Sequence, residues 1–282
     1  MEAPYGEVVE AGPGVRRVLA RNPSPFTFTG TQTHIVGTCE VAIVDPGPDL
    51  PEHVDSILAA VRCERVAAIL VTHTHRDHSP AARALAAATG APVIGCAPIV
   101  APDAGAFTES FDTGYAPDRV LADGDVVGGS GWTLRAVATP GHMSNHLCFA
   151  FAEERALFSG DHVMGWSTSV ILPPDGNMGD YMASLAKLAA RYDHVYYPAH
   201  GPSVDVPAKL VRGLIAHRKA RESQIVDALE EGSFDVEQLV ARNYAGLDPK
   251  LIPAAAASVL AHLLGLEARG ITDRAGEAWR LL

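Results

Sequence analysis

The stretch THTHRDHSP at residues 72–80 places three of the chain's 12 histidines and one aspartate within nine residues. Imidazole and carboxylate groups are the usual protein ligands of zinc and related transition metals. Alternate residues of an extended segment point to the same side, so His73 and His75 can bind one ion together. Asp77 and His78 follow where the chain bends towards a helix, and they can reach a second ion. The segment therefore predicts a metal site that holds two ions.

One loop cannot complete such a site, because each metal ion needs three or four protein ligands. Three further segments, ATPGH, FSGDH and YPAHG, offer His142, Asp161 and His200, each at the end of a predicted strand. A glycine stands next to each of these residues and allows the tight turn that a ligand loop needs. A carboxylate has two oxygens and can bridge two ions, so we expect Asp161 to be the shared ligand.

Two divalent ions about 3.5 to 4 Å apart can hold a bridging water, lower its pKa from 15.7 to near 7, and so supply a hydroxide nucleophile. The two aspartates and one hydroxide leave such a centre with a net positive charge that stabilises an oxyanion or a phosphorane. This balance favours hydrolysis of a carbonyl or phosphoryl bond over redox chemistry. Zinc is the expected metal, and iron and manganese stay open as alternatives.

Other polar residues near these segments are candidates for roles in catalysis. We expect Asp77 to orient the hydroxide, and His146 is the candidate general acid for the leaving group, with a metal-bound water as the alternative. His146 and His162 lie close in sequence to proposed ligands and are predicted to support a ligand or contact substrate. The isolated histidines are more simply explained as surface or core residues, namely His34, His53, His194 and His262.

The loop MGWSTSVILPPDGNMGDY, which follows Asp161, is long enough to shape a substrate pocket. Trp166, Ser167 and Thr168 in this loop are candidate substrate contacts. For Trp166, packing at the surface is an equally good explanation.

The metal-binding residues must be positioned by a fold, and residues 27–200 alternate short β-rich runs with helical stretches, which is typical of an α/β protein. The predicted strands lie at residues 41–45, 67–73, 91–95, 132–139, 146–151, 156–161 and 194–200. A helix is predicted over residues 79–90, with Ser79 as its N-cap, Pro80 in its first turn and Gly90 at its C-terminal end. Ligand sites of open α/β sheets favour the carboxyl ends of the strands, where the predicted ligands lie.

The chain changes character near residue 207. A long helix, a second helix with an Asp235/Gln238 capping box, a third helix and a hairpin near Gly270 together predict a winged-helix-like domain. The predicted domains are therefore residues 1–207 and 208–282. From Lys209 onward ten basic residues face ten acidic ones, whereas the preceding part has 12 basic and 23 acidic residues.

Composition limits the possible partners. The formal net charge of −11 argues against a surface that binds nucleic acid or anionic membranes by charge alone. The four cysteines are far apart and are expected to be small buried residues. Neither a secretory signal nor a membrane helix is apparent, so the cytoplasm is the expected location.

The segment HTHRDH at residues 73–78, together with the later His, Asp and His, resembles the metallo-β-lactamase superfamily, whose hallmark is H-x-H-x-D-H. The resemblance implies a four-layer αββα sandwich. It also implies that Asp45, in the segment IVDPGP, supports a ligand from the strand turn next to the site. It further implies two ligand sets that share Asp161: His73, His75 and His142 for one zinc ion, and Asp77, His78 and His200 for the other.

Within the superfamily, NPSPFTFTGTQTHIVG, TPGHMSNHLCF, PAHGP and AHRKARESQI resemble the branch that contains the mitochondrial β-lactamase-like endoribonuclease, which carries a C-terminal winged-helix-like domain. Class B β-lactamases of the superfamily have Cys or Ser where Asp161 stands here. The resemblance therefore implies that antibiotic hydrolysis is at most a side activity.

Three functional hypotheses follow. The first is a dinuclear zinc hydrolase of a small ester-like substrate such as a thioester or lactone, which suits the acidic first domain. The second is an endoribonuclease acting on single-stranded RNA, which the branch resemblance favours and the charge disfavours. The third is a binding module for nucleic acid or protein with structural metals, which is disfavoured because structural zinc sites are closed and usually rich in cysteine. Assembly of the protein into a homo-oligomer is left open as an alternative to a monomer.

Overall fold

The structure is a computed structural model of the chain, and it describes residues 3–99 and 110–282. The chain divides into two compact units. The first comprises Met1–Thr139, Asn145–Thr168 and Tyr192–Pro207, and the second comprises Pro140–Ser144, Ser169–Arg191 and Ala208–Leu282. The last change of unit falls at the predicted domain boundary, but two earlier segments of the predicted first domain belong to the second unit. The boundary between residues 207 and 208 therefore stays a prediction.

The first unit contains two β-sheets and two helices among the residues that the structure describes. The helices are α1 (Pro51–Ala60) and α2 (Ala82–Thr89). The strands are β1 (Val8–Gly12), β2 (Val15–Leu19), β3 (Gln32–Thr38), β4 (Glu40–Val44), β5 (Arg65–Val71), β6 (Val93–Gly95), β7 (Arg119–Val120), β8 (Val126–Gly129), β9 (Trp132–Ala138), β10 (Leu147–Phe151), β11 (Ala156–Gly160) and β12 (Val195–Pro198). A seven-stranded sheet has the order β1-β2-β3-β4-β5-β6-β7, and a five-stranded sheet has the order β12-β11-β10-β9-β8.

The apolar core of this unit contains side chains from both sheets. Ile43 on β4 and Ile69 on β5 belong to the same buried cluster as Trp132 on β9 and Phe149 on β10. The sequences LCFAF of β10 and ALFSG of β11 are buried at every position. Such continuous apolar runs form strands that are covered on both faces. The sheets therefore pack face to face, as the predicted sandwich requires.

Strand direction brings the ends of several strands to common edges. β4 pairs with β5 and β11 pairs with β12 in parallel, and β10 is antiparallel to both β9 and β11. Parallel strands end at the same edge of a sheet. The segments that follow β4 and β5 therefore emerge at one edge, and those that follow β9, β11 and β12 emerge at one edge of the second sheet. The predicted ligand segments follow these strands.

The helix α2 begins later than predicted. It starts at Ala82, and Ala81 at its N-cap position makes no side-chain capping bond. The prediction that Ser79 caps this helix is wrong, because the Ser79 hydroxyl donates a hydrogen bond of 2.8 Å to Asp112 instead. Gly90 ends the helix in a left-handed conformation with φ of 71°, as predicted.

The cysteine prediction holds for two of the four residues. Cys96 and Cys148 are buried, but Cys39 and Cys63 are exposed. Cys39 lies between β3 and β4 with φ of 62°, and Cys63 lies in the turn after α1. Spacing alone could not separate these turn positions from the core positions.

The second unit contains the predicted helices and hairpin. Its elements are α3 (Met178–Ala189), α4 (Pro207–Glu230), α5 (Val236–Asn243), α6 (Ile252–Ala268), β13 (Thr272–Ala275) and β14 (Ala278–Leu281). Leu229, Leu239, Val259 and Trp279 belong to its apolar core. The capping box is present, since Asp235 accepts from the Gln238 N–H at 2.8 Å and Gln238 accepts from the Asp235 N–H at 2.9 Å. The hairpin turn is at Gly276 rather than at Gly270.

Among the described residues, no helix is both long enough and apolar enough to cross a membrane.

Candidate metal centre

The first unit brings six of the predicted ligands together in two groups. Ligand atoms of His73, His75 and Asp161 lie within 4.8 Å of one another, and so do those of Asp77, His78 and His200. His73 follows β5, Asp161 follows β11 and His200 follows β12, so strand ends supply both groups. Most of these side chains are buried, which removes water as an alternative partner for their polar atoms.

In the first group two imidazole rings converge. His73 Nε2 lies 3.0 Å from His75 Nδ1. The Thr72 hydroxyl donates to an Asp45 oxygen at 2.9 Å, so the His73 Nδ1–H is the donor in the 3.0 Å bond to Thr72 Oγ1. That tautomer leaves the lone pair of His73 Nε2 facing His75. The ring of Phe111 stacks on that of His75, with the ring centres 5.6 Å apart.

Asp161 also faces the second group. Its Oδ1 lies 3.6 Å from His78 Nε2 and 3.3 Å from His200 Nε2. Asp77 Oδ2 lies 3.4 Å and 3.2 Å from the same two nitrogens. One carboxylate thus has an oxygen near each group, which is the position that a shared ligand needs.

Asp45 contacts Thr72, which precedes the first group's His73, and His78 of the second group. Its Oδ1 accepts a 2.9 Å bond from the Thr72 N–H, and its Oδ2 lies 3.1 Å from His78 Nδ1. The carboxylate therefore accepts the Nδ1 proton of His78 and directs His78 Nε2 towards Asp77 and Asp161. Asp45 has a left-handed φ of 50°, an uncommon conformation for an aspartate. Its supporting role was predicted from the resemblance alone, and the geometry is compatible with it.

Two contacts in the segment between β2 and β3 were missed by sequence reasoning. The Thr31 hydroxyl donates to Asp77 Oδ2 at 3.0 Å, and the Gly30 carbonyl lies 3.2 Å from His200 Nδ1. A side chain on Gly30 would lie 2.1 Å from the Ala20 carbonyl, so only glycine allows this approach. The sequence carries no local signal for these contacts, because Thr31 and Asp77 are 46 residues apart.

His146 lies behind Asp161. Its side chain is 1% exposed, its Nδ1 lies 2.9 Å from the Thr139 hydroxyl, and its Nε2 accepts a 3.2 Å bond from the Asp161 backbone N–H. A side chain on Gly160 would lie 2.6 Å from His146 Nε2, so glycine is required at the last position of β11. This geometry favours a role of His146 in holding the Asp161 backbone. The role of His146 as general acid stays a prediction.

The remaining predicted contacts lie outside the two groups. His162 is buried, with its ring 5.8 Å from that of His146. Trp166 is 37% exposed and stacks on Phe28 at 4.9 Å. Ser167 is exposed and its hydroxyl donates to the Thr168 carbonyl at 3.3 Å. These contacts leave their predicted roles at the substrate untested.

His142 belongs to the second unit. It follows β9 by four residues, and its Nδ1 lies 2.6 Å from the Val170 carbonyl, to which it donates. The Ser184 hydroxyl on α3 donates to the Pro140 carbonyl at 2.8 Å and so fixes the same short segment. These bonds leave His142 Nε2 as the ring nitrogen with a lone pair.

Charge within the second group is strongly coupled. Burial would raise the pKa of Asp77, but His78 and His200 outweigh it and hold that pKa well below its usual range. Burial would lower the pKa of His200, but Asp161 and Asp77 raise it to about 10. Burial, together with the neighbouring His78 and His75, lowers the pKa of His73.

The two groups fit metal ions. Their donors are imidazole nitrogens and carboxylate oxygens, the set that zinc and iron prefer. His78 Nε2 is buried without a hydrogen-bond partner, although it faces two carboxylates. Buried nitrogens of this kind are normally satisfied, and a cation between the groups would satisfy it. The two groups together suggest a dinuclear metal site.

A two-sheet α/β unit with paired His/Asp groups at its strand ends defines a class of metal-dependent hydrolases. Residues 28–200 match the Metallo-beta-lactamase superfamily, and residues 236–279 match the Beta-lactamase associated winged helix domain. The chain belongs to the metallo-β-lactamase superfamily. The predicted fold, its C-terminal winged-helix domain and the enzyme class are thereby confirmed, whereas the endoribonuclease branch is not shown.

Individual relatives agree with this membership. The chain is 34% identical over 277 residues to an atrochrysone carboxyl ACP thioesterase of Aspergillus terreus, covering 92% of this chain and 81% of that protein. It is 31% identical over 261 residues to the lactamase-like protein ptaB of Pestalotiopsis fici, covering 88% and 78%. A beta-lactamase domain protein from Burkholderia ambifaria has the same fold, with a TM-score of 0.82, 22% identity, and coverage of 100% of this chain and 95% of that one.

Proposed function

We propose that the protein is a dinuclear metal hydrolase that cleaves thioester bonds of small acyl substrates. The observation that carries the proposal is the pair of buried His/Asp groups with Asp161 between them. The relative named as an ACP thioesterase supports the thioester over the lactone. The overall reaction consumes one water, breaks the carbonyl C–S bond, and yields a carboxylic acid and a thiol.

When bound, the two metal ions would lower the pKa of a water and stabilise the oxyanion that develops on the substrate carbonyl. His73, His75 and His142 would hold one ion, and Asp77, His78 and His200 the other, with Asp161 shared. Zinc is the metal we propose, and the cytoplasm is the proposed location.

Asp45, Thr31 and His146 would fix the protons and the orientation of the residues proposed to hold the metal ions. Asp45 accepts the Nδ1 proton of His78, and Thr31 donates to Asp77. With the Thr31 proton directed at Oδ2, Asp77 stays ionised and can accept a hydrogen bond that orients the attacking water. His146 holds the Asp161 backbone through its Nε2. A thiol leaves as a thiolate more readily than an alcohol leaves as an alkoxide, so a thioester reduces the need for a protein general acid.

The acyl group would pack on an exposed aromatic pair beside His200. Phe28 is 44% exposed and stacks on Trp166, and a side chain on Gly201 would lie 2.9 Å from the Trp166 ring. Phe28 also borders a cavity of about 510 Å³ that Arg17 and Gly201 help to line. Exposed aromatic side chains next to a reactive centre suit an apolar or aromatic acyl group.

The test is a substrate screen with the zinc-loaded protein. Benzoyl and acetyl thioesters of N-acetylcysteamine, a lactone, a phosphodiester and a short single-stranded RNA are assayed side by side, with thiol release followed by colour. We expect the benzoyl thioester to be hydrolysed fastest, and the His73→Ala variant to lose roughly a thousandfold or more of kcat/KM.

The exposed His194→Ala variant is the matched control for replacing a histidine and should retain its activity. Equal thioester hydrolysis by the His73→Ala variant would overturn the proposal. Metal-dependent cleavage of the RNA without thioester hydrolysis would overturn it in favour of the endoribonuclease hypothesis.

A further inference from the structure

The second unit contains a cavity that the proposed reaction does not use. It has a volume of about 290 Å³, near the lower end of ligand-binding cavities, which span roughly 300–1,000 Å³. Its walls come from α3, α4 and α6, all within the second unit. The lining residues are Met178, Gly179, Met182, Arg218, Lys219, Glu222, His262, Gly265 and Arg269. We call it the α3–α4–α6 cavity.

His262 is the clearest sign that this cavity is built for a ligand. The side chain is 1% exposed, and neither ring nitrogen has a hydrogen-bond partner among the described residues. Burying a polar group without a hydrogen-bond partner is unfavourable, so native proteins rarely do so without a reason. Burial, with Arg218 and other nearby cations, lowers the pKa of His262 to about 3. The neutral ring therefore offers one donor and one acceptor to whatever fills the cavity.

Positive charge dominates the same cavity. Arg218 is 4% exposed, its Nε has no hydrogen-bond partner, and no carboxylate in the described part of the chain forms a salt bridge with it. Its other guanidinium nitrogens donate to the Ser169 carbonyl and to the Ser258 hydroxyl. Lys219 adds a second cation, while Arg269 is paired with Glu222 at 2.6 Å. A buried guanidinium without a carboxylate partner favours an anionic ligand.

The first turn of α3 adds to this preference. Gly179 is the second residue of the 12-residue helix α3, whose N-terminal N–H groups carry partial positive charge. Met178 and Met182 line the same wall and provide an apolar surface. A phosphate group with a small apolar substituent would match both kinds of surface.

We propose that the α3–α4–α6 cavity binds a phosphate monoester, with the phosphate against Arg218, His262 and the first turn of α3, and the organic group against the two methionines. Arg218 Nε donates to one phosphate oxygen, and a His262 ring N–H donates to another. Lys219 at the outer wall attracts the anion into the cavity. This site is independent of the metal centre and of the hydrolytic reaction.

The test is calorimetric titration of the zinc-loaded protein with inorganic phosphate, phenyl phosphate and phenol at constant ionic strength. Phenyl phosphate is expected to bind most tightly, inorganic phosphate roughly tenfold more weakly, and phenol not at all. This ranking separates a phosphate ester from free phosphate as the natural ligand. Tighter binding of phosphate than of phenyl phosphate would overturn the assignment of an ester, and absence of binding by both would mean that the cavity holds only water.

Two variants locate the binding. His262→Leu should weaken phenyl phosphate binding by at least roughly tenfold without lowering the melting temperature, because it removes two unpaired nitrogens. Lys219→Glu, a change of an exposed residue on α4, should weaken it roughly three- to tenfold. Lys209→Glu on the same helix makes the same charge change away from the cavity and should leave the affinity within about twofold.

The metal centre could bind phosphate by itself, so the His73→Ala variant is titrated as well. It should keep phenyl phosphate binding while losing thioester hydrolysis, which separates failure of this site from failure of the proposed reaction. Loss of phenyl phosphate binding in His73→Ala, or unchanged binding in both His262→Leu and Lys219→Glu, would contradict the assignment.

Discussion

At the level of single residues, the carboxylates of Asp45 and Asp161 both contact histidines of the second group. Asp161 faces two imidazoles of the second group, and Asp45 accepts protons from Thr72 and His78. A carboxylate behind an imidazole fixes its tautomer and raises the basicity of the ligating nitrogen. We therefore expect the affinity of the site for metal to depend on Asp45, although this residue belongs to neither group.

We predict that Asp45→Asn lowers metal affinity roughly 10- to 100-fold, the usual cost of losing such a partner. The amide keeps the size of the side chain but replaces one acceptor oxygen with a donor, so either Thr72 or His78 loses its partner. Competition with a chelator measures the change. Asp49→Asn, an exposed change in the same segment, is the control, and equal affinity of the two variants would show that Asp45 does not support the site.

Replacing Trp166 tests whether the stacked pair of Phe28 and Trp166 selects the acyl group of the substrate. Trp166→Ala removes the partner of Phe28 and should raise KM for a benzoyl thioester several-fold more than KM for an acetyl thioester, because stacking contributes about 0.5–1.5 kcal/mol. The exposed Tyr192→Ala variant controls for loss of an aromatic surface residue. Equal changes of KM for both substrates would show that Trp166 only packs at the surface.

His34 makes stability depend on pH. Its side chain is buried against Phe158 and Tyr197, and burial, with a smaller contribution from Arg17, lowers its pKa from 6.5 to about 3. Between these values the unfolded chain binds a proton that the folded chain does not. The stabilisation is therefore complete above pH 6.5 and is lost as the pH falls towards 3.

From pH 7.5 to pH 5 we expect His34 to reduce the free energy of unfolding by about 2 kcal/mol. His34→Phe should remove that part of the pH dependence, since a phenyl ring does not titrate and can pack against the same two aromatic side chains. Denaturant unfolding at both pH values measures it, with the exposed His194→Phe variant as control. A pH dependence unchanged by His34→Phe would contradict this assignment.

At the scale of elements, strand ends determine where the candidate ligands lie. The apolar runs of β5, β11 and β12 could be recognised in the sequence, and His73, Asp161 and His200 follow them closely. The supporting contacts of Thr31 and Phe111 could not be predicted, because each depends on a tertiary approach between segments with no common pattern. The start of α2 was missed for a similar reason. The Ser79 hydroxyl donates its hydrogen bond to Asp112, which is distant in the chain, and so does not cap the helix.

Replacing Gly160 tests the turn at the end of β11, directly before Asp161. Gly160 has φ of 51° and a side chain there would lie 2.6 Å from His146 Nε2, whereas Gly90 has φ of 71° with no atom within 4 Å. Gly90→Ala should therefore cost only about 1–2 kcal/mol of backbone strain. Gly160→Ala should lower the free energy of unfolding by about 1–3 kcal/mol more than Gly90→Ala does, because of overpacking, and it should reduce the amount of bound metal.

Chemical unfolding and elemental analysis of the two alanine variants make this comparison. Equal stability and equal metal content in both variants would show that the turn tolerates a side chain, and that His146 does not constrain Asp161.

At the scale of the whole molecule, the sequence supports the superfamily fold and the winged-helix domain because both are encoded by local patterns: apolar strands, the metal motif and the Asp235 capping box. The division into units could not be predicted in full. Residues 169–191, which include α3, precede β12 in sequence yet belong with α4 to α6, and only tertiary packing determines that assignment. The α3–α4–α6 cavity was hidden for the same reason, as His262 had no neighbour in sequence that marked it.

The central claim is that distant segments converge to hold two ions that share Asp161. Anomalous X-ray diffraction from crystals grown with zinc tests it most directly. We predict two zinc peaks about 3.5–4 Å apart, one bonded to His73 and His75, the other to Asp77, His78 and His200, with an Asp161 oxygen in contact with each. A single peak, or peaks bound away from these residues, would contradict the account.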